Sequence, residues 1–562
     1  MHKLEHKGPI SSVAAQGGLI ATAGYDNRVI LWNDATHEPI SQGLHDHLVN
    51  HCEFSHDGNY LVTASSDYSA RVWRLPEMRL EAVLGVHKDD VDMATFSPDD
   101  QLVATCALDR VVRIFNRQGQ CLKELYGHVG NIISVMWSAD GNQLVSSSVD
   151  GTVREWDVES GEQLACHDLD AVRTDTIAFD NQGQILAGDD HGRIAIISKT
   201  GIVYHQAHRA GIKKLVYSSD REILATLSYD RSLAIWKTNL DGSPLICLNR
   251  TEIPAVIWPR AAAVLDAHRL VVGTFGTRYA IYDWTKDAWD VEDVSPGNGI
   301  NAVICHDGAV FTVGDAGSVL RDGQLVAEMG SLCNFLVSAD RALFTGGQLG
   351  TLFDALTGKT LYQHHSPLNC GVYFYSAGKP HLAVGCYTGE AVIFRIADDG
   401  QIRKIKTLKV FDNAIKGLAT SGSQLFAACA STDIAWIDGE FLEVMNKQYR
   451  AHEKIVNACA LVGDKGFATV SRDKTLRLWM NGVQEIYQSP HPNSVKSLCS
   501  SADGSVLMTG SYGGTIAGFD VKTRSWINFR RPTTAGISSI TYNEKNNNFL
   551  AAAYDGSLHV IN

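Results

Sequence analysis

Three groupings in this 562-residue chain have residue types that could do chemistry. Gly358–Lys359–Thr360 looks like the end of a phosphate loop, where backbone N–H groups and a lysine cradle an anion. That motif needs a glycine five residues before Gly358, and Phe353 stands there. His45, His47 and His51, and the adjacent pair His364–His365, could supply imidazole to a metal. The aspartates Asp67, Asp109, Asp150 and Asp230 could act as general acids or bases, but they recur at a regular interval, which catalysis does not require. No G-x-S-x-G elbow, H-E-x-x-H pair or calcium loop is present.

The elements that carry these residues repeat. The stretches His45–Trp73, His87–Phe115, His128–Trp156 and His208–Trp236 share one plan. An aromatic (Phe54, Phe96, Trp137, Tyr217) follows the histidine by nine residues, and an aspartate precedes the closing aromatic by six. Apolar alternation, a polar turn such as SADGN, a second apolar run and a tight turn at the aspartate read as successive strands. A fourth strand follows, as in QLACHDL after ESGE. Weaker units close at Ile196, Tyr282, Arg321, Phe353, Phe394, Ile437, Phe519 and Ile561. Fourteen units over 562 residues give about 40 residues each, the size of a β-propeller blade.

The pattern resembles the WD-repeat family. Gly127–His128, Ser148, Asp150 and the dipeptide Trp156–Asp157 carry the resemblance. It implies a hydrogen-bonded set in each blade, namely His45/Ser65/Asp67/Trp73, His128/Ser148/Asp150/Trp156, His208/Ser228/Asp230/Trp236 and His452/Ser471/Asp473/Trp479, with His6/Asp26/Trp32 in the first. On this reading His45 belongs to a blade, His47 to a surface loop, His51 to a strand, and His365 lies nine residues before Phe374 as the repeat requires. DALTGKTL aligns with DVESGEQL, so the lysine-bearing loop is a turn between third and fourth strands.

The expected fold is all-β, with two tandem seven-bladed WD-repeat β-propellers of four antiparallel strands per blade. The expected domains are 1–287 and 288–562, because KDAWDVEDVSPGNGI at the junction is acidic and carries Pro296, Gly297 and Gly299. Closure is expected from strand exchange, Met1–Glu5 pairing beside the strand ending at Tyr282 and Ala288–Val294 beside Ser557–Asn562.

Composition narrows the function. A net charge of −13 argues against a general nucleic-acid binder. No run of about 18 apolar residues is present, and the first residues have no signal-peptide core. The twelve cysteines are spread along the chain with no C-x-x-C pair, as in a reduced, cytoplasmic protein. The basic run Arg403, Lys404, Lys406 and Lys409 alternates with apolar residues, as an exposed outer strand does.

Periodic structural residues account for nearly every polar cluster, leaving no catalytic residue, cofactor or metal to assign. The resemblance implies that loops at one face of each ring bind partners, through the residue five after each histidine and the residue before each turn aspartate. In this chain those positions include Tyr25, Asn50, Asp92, Ile133, Asp189, Lys213 and Tyr229 in the first ring. In the second they include Asn301, Lys416, Asn457, Arg472, Lys496 and Tyr554. The reading is a non-enzymatic protein–protein interaction scaffold, monomeric or a subunit of a hetero-complex, that binds proteins or peptides. The alternatives are a propeller enzyme with a channel-mouth site and a substrate adaptor. The ligase-adaptor arginine two residues after Trp–Asp is replaced by Glu159.

Overall fold

The computed structural model describes residues 4–238, 245–397, 400–464, 466–480 and 482–562. Among them the chain forms strands and turns and no helix. Thirteen sheets have four antiparallel strands and one has three, each built from consecutive strands.

Burial explains why the strands of one blade read so differently. The second strand of the second blade, Tyr60–Ser65, is buried at five of its six positions because neighbouring sheets cover both faces. It therefore carries an unbroken run of apolar and small residues (YLVTAS) rather than an alternating one. The outermost strand Arg79–Leu84 buries only Ala82 and Leu84 and so alternates. The basic run likewise lies on an outermost strand, Ile402–Lys409.

The chain divides into two compact units, Met1–Gly297 and Asn298–Asn562. In the first, the innermost strands Ile10–Gln16, Val49–Phe54, Val91–Phe96, Ile132–Trp137, Thr174–Phe179, Ile212–Ser218 and Ile257–Val264 pack each against the next, and the last against the first. The second unit does the same with Ile300–His306, Cys333–Ala339, Leu368–Ser376, Ile415–Ser421, Val456–Val462, Val495–Ser500 and Ile537–Asn543. Each unit is a closed ring of seven blades.

Closure differs from the expected strand exchange. Ala288–Asp290 pairs with Ala280–Asp283, completing the seventh sheet of the first ring from its own sequence. The division of the chain accordingly falls at Gly297, after this strand rather than before it. Leu4 and Glu5 form no strand, and Met1–Lys3 lie outside the described residues. Among the described residues the last sheet of the second ring has three strands, ending on Leu558–Ile561. The seams are therefore packed rather than laced. In the first ring Ile10 and Trp32 pack against Ala261 and Tyr279, the His6 N–H donates to the Thr277 carbonyl at 2.9 Å, and His37 Nδ1 lies 3.0 Å from the Tyr279 hydroxyl. Gly273 sits at this seam because a Cβ there would lie 2.6 Å from the Ile10 oxygen. In the second ring Val303 packs against Leu550 and Ala552.

Candidate functional site

The histidines and aspartates that could do chemistry are tied to one another inside the blades. His45 Nδ1 lies 2.8 Å from Asp67 Oδ2, and His45 Nε2 lies 2.7 Å from Thr63 Oγ1, which also accepts the Trp73 indole N–H. The same arrangement joins His6, Asp26, Thr22 and Trp32; His128, Asp150, Ser146 and Trp156; His208, Asp230, Thr226 and Trp236; and His452, Asp473, Thr469 and Trp479. Burial opposes the charge of Asp67, but the hydrogen bond and charge of His45 outweigh it and hold the carboxyl far below its usual range. Asp150, Asp230 and Asp473 are held low in the same way by their own histidines.

The hydroxyl in this set is not the serine expected from the sequence. Ser65, Ser148, Ser228 and Ser471 instead cap the turn, each accepting the N–H of its aspartate and donating to a loop carbonyl such as Leu48 O or Ala210 O. Both hydroxyls lie on one strand face, two residues apart, and only the earlier one faces the indole. In the third blade Phe115 replaces the tryptophan, and Asp109 turns to Arg113 at 2.8 Å. His87 there is pushed down to about 4 by burial, with Arg113 adding to the effect.

A second feature positions the ring mouths. On thirteen of the fourteen innermost strands the register shifts by one residue near the start, at Asn50, Asp92, Lys213, Lys416 and Lys496 among others, and this bulge frees one side chain from the ladder. Several bulge residues tie their blade to the next. Asn50 donates to Val91 O at 3.0 Å, Asn301 to Cys333 O at 3.1 Å, Asn334 to Leu368 O at 2.7 Å, Asn369 to Ile415 O at 2.6 Å and Asn457 to Val495 O at 2.7 Å. Ser11 reaches Val49 O, and Ser538 reaches Ile300 O across the second seam. Asn50, Asn301 and Asn457, read from the sequence as partner-facing, are therefore committed to the ring itself. The recurring pairs Val49–Asn50, Ile300–Asn301, Cys333–Asn334, Leu368–Asn369 and Val456–Asn457 are the signal that would have found this clamp.

The two positions read as facing a partner do meet in places. Asn50 bonds Ser66 at 3.1 Å, and Tyr229 lies with its ring 4.9 Å from Lys213 Nζ. At the first mouth, Tyr25, Asn50, Asp92, Ile133, Asp175 and Lys213 line one cleft with Lys214 and Arg260. The charge of its bulge lysine is matched. Lys213 pairs with Asp175 at 2.7 Å and with Asp190, and Arg173 pairs with Asp175 at 2.7 Å. Burial alone would lower the Lys213 amine, but these two carboxylates raise it above its ordinary value. Tyr25 packs edge-on to Trp258 at 5.1 Å.

Asp189 is displaced from the mouth. The carbonyl and amide bonds that Ser148 and Val149 make are made here by Asp189 and Asp190, so His191 takes the turn position and Ile197 the tryptophan's. Asp189 is fully buried and bonds its own turn at His191 N, Arg193 N and Arg193 Nε. Asp190 is the residue at the mouth. His47 is buried rather than in a surface loop, its Nδ1 accepting from Leu48 N. His364, not His365, occupies the blade position, since its N–H bonds Gly350 O four residues before the first strand.

At the second mouth Lys416 and Lys496 stand on bulges with Arg472 and Tyr512 nearby, and Tyr554 stacks on Tyr512 at 6.4 Å. The acid here, Asp315, accepts from Asn301 at 3.0 Å and is raised by burial to about 6. Beside the third sheet of the second ring, His364 Nε2 and His365 Nε2 approach Glu390 Oε2 at 3.3 and 3.9 Å, and these three atoms could hold a metal ion. Glu390 is held at about 2, first by the hydrogen bond to His364.

No helix of the described residues is long and apolar enough to cross a membrane. A family model described as "WD domain, G-beta repeat" matches residues 1–33, 39–74, 78–116, 119–157, 201–237, 444–480 and 484–520. The chain is 26% identical over 251 residues to a guanine nucleotide-binding protein subunit beta of Nicotiana tabacum, covering 39% of this chain and 67% of that one. It is 26% identical over 241 residues to the target of rapamycin complex subunit wat1 of Schizosaccharomyces pombe, covering 39% of this chain and 74% of that one. Against periodic tryptophan protein 2 of Arabidopsis thaliana the figures are 31% over 157 residues, 27% of this chain and only 17% of the relative. With fourteen blade-like sheets and seven matched repeats, the chain is a WD-repeat protein.

Proposed function

We propose that this protein is a non-enzymatic scaffold that binds other proteins or peptides at the mouths of its rings, as a subunit of a hetero-complex. The observation that carries this reading is the closure of the His–Asp–hydroxyl–Trp sets, which tie the recurring histidines and aspartates to one another. The mouths supply what recognition needs, fixed charges and tyrosines on bulges and turns of a rigid frame. Two relatives are described as subunits, of a guanine nucleotide-binding protein and of the target of rapamycin complex, which favours membership of an assembly. The acidic balance favours protein over nucleic acid as partner. All twelve cysteines are free, which fits a reducing, cytoplasmic setting.

The test is affinity purification of the full chain from its own cells, beside a Tyr25→Ala/Tyr229→Ala variant shown to melt as the wild type does. The expected result is a protein recovered in near-stoichiometric amount with the wild type and depleted with the variant. Recovery of no protein partner overturns the reading.

A further inference from the structure

Five of the seven innermost strands of the second ring spend their bulge residue on tying one blade to the next, through Asn301, Asn334, Asn369, Asn457 and Ser538. The other two carry Lys416 and Lys496, on the blades flanking the one that supplies Asn457. A lysine there gives up the clamp, so the fold does not explain its presence. At Lys496 the neighbouring Ser497 takes over, donating to Ile537 O at 3.1 Å.

The charge of these lysines is unbalanced. Among the described residues no carboxylate forms an ion pair with either amine. Both side chains are half-buried, and withdrawal from water, reinforced by nearby cations, pushes each down to about 8. Lys416 feels Lys496 first and also Arg472, while Lys496 feels Arg472. What stands beside them is aromatic. Lys416 lies 5.7 Å from the Tyr387 ring, which offers it a π-face, and Arg472 lies 5.6 Å from the Tyr512 ring. Asp315 is engaged with Asn301 and Gly299, and no cation lowers it. Lys213 in the first ring occupies the same bulge position and has two aspartates of its own. At one mouth the bulge lysine is paired from within, and at the other two bulge lysines stand in a partly dry place with no paired carboxylate, which is costly unless something else supplies the anion.

We propose that Lys416, Lys496 and Arg472 form a binding site for an oxyanion, a carboxylate or a phosphoryl group, carried by a partner polypeptide. The proposal rests on the scaffold reading and names the chemistry of what is bound.

The experiment uses the purified full chain and two fluorescent peptides of otherwise neutral sequence, one glutamate-rich and one bearing a phosphoserine, followed by anisotropy at low and high salt. The variants are Lys416→Met/Lys496→Met and a charge-matched control on the exposed outer strand, Arg403→Met/Lys406→Met. At least one peptide is expected to bind the wild type and the control alike, with about tenfold or greater loss in the mouth variant and weakening by salt. The stronger peptide identifies the carboxylate or the phosphoryl group. Inorganic phosphate is expected to raise the melting temperature of the wild type and not of the mouth variant, which melts no lower than the wild type without phosphate. Equal binding to wild type and mouth variant, or binding of neither peptide, overturns the proposal. A mouth that binds peptide while the chain captures no cellular protein sinks the scaffold reading alone, and the reverse sinks the oxyanion site alone.

Discussion

Trp73 donates its indole N–H to the Thr63 hydroxyl across 2.8 Å, and that hydroxyl is the hinge on which the blade's polar set turns. With the His45 Nδ1–H given to Asp67, Nε2 is left to accept from Thr63, so the four groups form one directed chain with no spare proton.

Replacing Thr63 by valine removes an acceptor from Trp73 and a donor from His45 while both stay buried. The expected loss is about 2–3 kcal/mol, against about 1 kcal/mol for Ser65→Ala, whose turn is nearer to solvent. Urea unfolding followed by tryptophan fluorescence measures both, and equal losses would contradict the assignment of roles.

Asn369→Ala breaks the bond to Ile415 O and unties one blade from the next. The cost is about 1 kcal/mol. Hydrogen exchange should quicken at the innermost strands Leu368–Ser376 and Ile415–Ser421 and stay unchanged on the outermost strand Ile402–Lys409.

Acid should weaken the second ring in two stages. Burial pushes His491 down to about 4 from its ordinary 6.5, so between those values the unfolded chain holds a proton that the folded one does not. Stability therefore falls as pH drops from about 6.5 to 4. Below that, protonation of Asp473, held low by His452, continues the fall. In His491→Gln the slope of denaturant midpoint against pH should flatten in the upper window and persist in the lower.

Alkali should do the opposite at the mouth. Lys416 and Lys496 sit at about 8 against an ordinary 10.5, so the folded chain sheds these protons first and gains stability as pH rises from about 8 to 10.5. Measured beside Lys416→Met/Lys496→Met, the wild type should close the gap to the variant across that window. A constant gap would show that the amines are not destabilising the ring.

The repeat was legible because one constraint is imposed fourteen times. A strand covered on both faces must be apolar and small, and a tight turn at its end must supply an aspartate or glycine. Closing residues such as Phe394 and Ile437 accordingly fall on third strands even where the polar set is lost. Single-residue frames were harder. AGDDHG offers two aspartates to one turn, and only the hydrogen bonds of Gly192 and Asp190 show which belongs to the mouth. Thr63 and Ser65 share a strand face, so spacing alone could not choose between them. Ring closure was misread because either neighbour of a third strand satisfies its edge, and the short Ala288–Asp290 hairpin wins by proximity in the chain. The asparagine clamp depends on bulges, which strict alternation conceals.

The packed seam of the first ring has an evolutionary consequence. Because every sheet there is drawn from one continuous stretch of chain, a blade is a cassette. Duplicating or deleting one would alter the circumference without unpairing any hydrogen-bonded ladder. The joint between Ile10–Gln16 and Ile257–Val264 is where such a change would be accommodated, held by side chains that can be re-matched one substitution at a time.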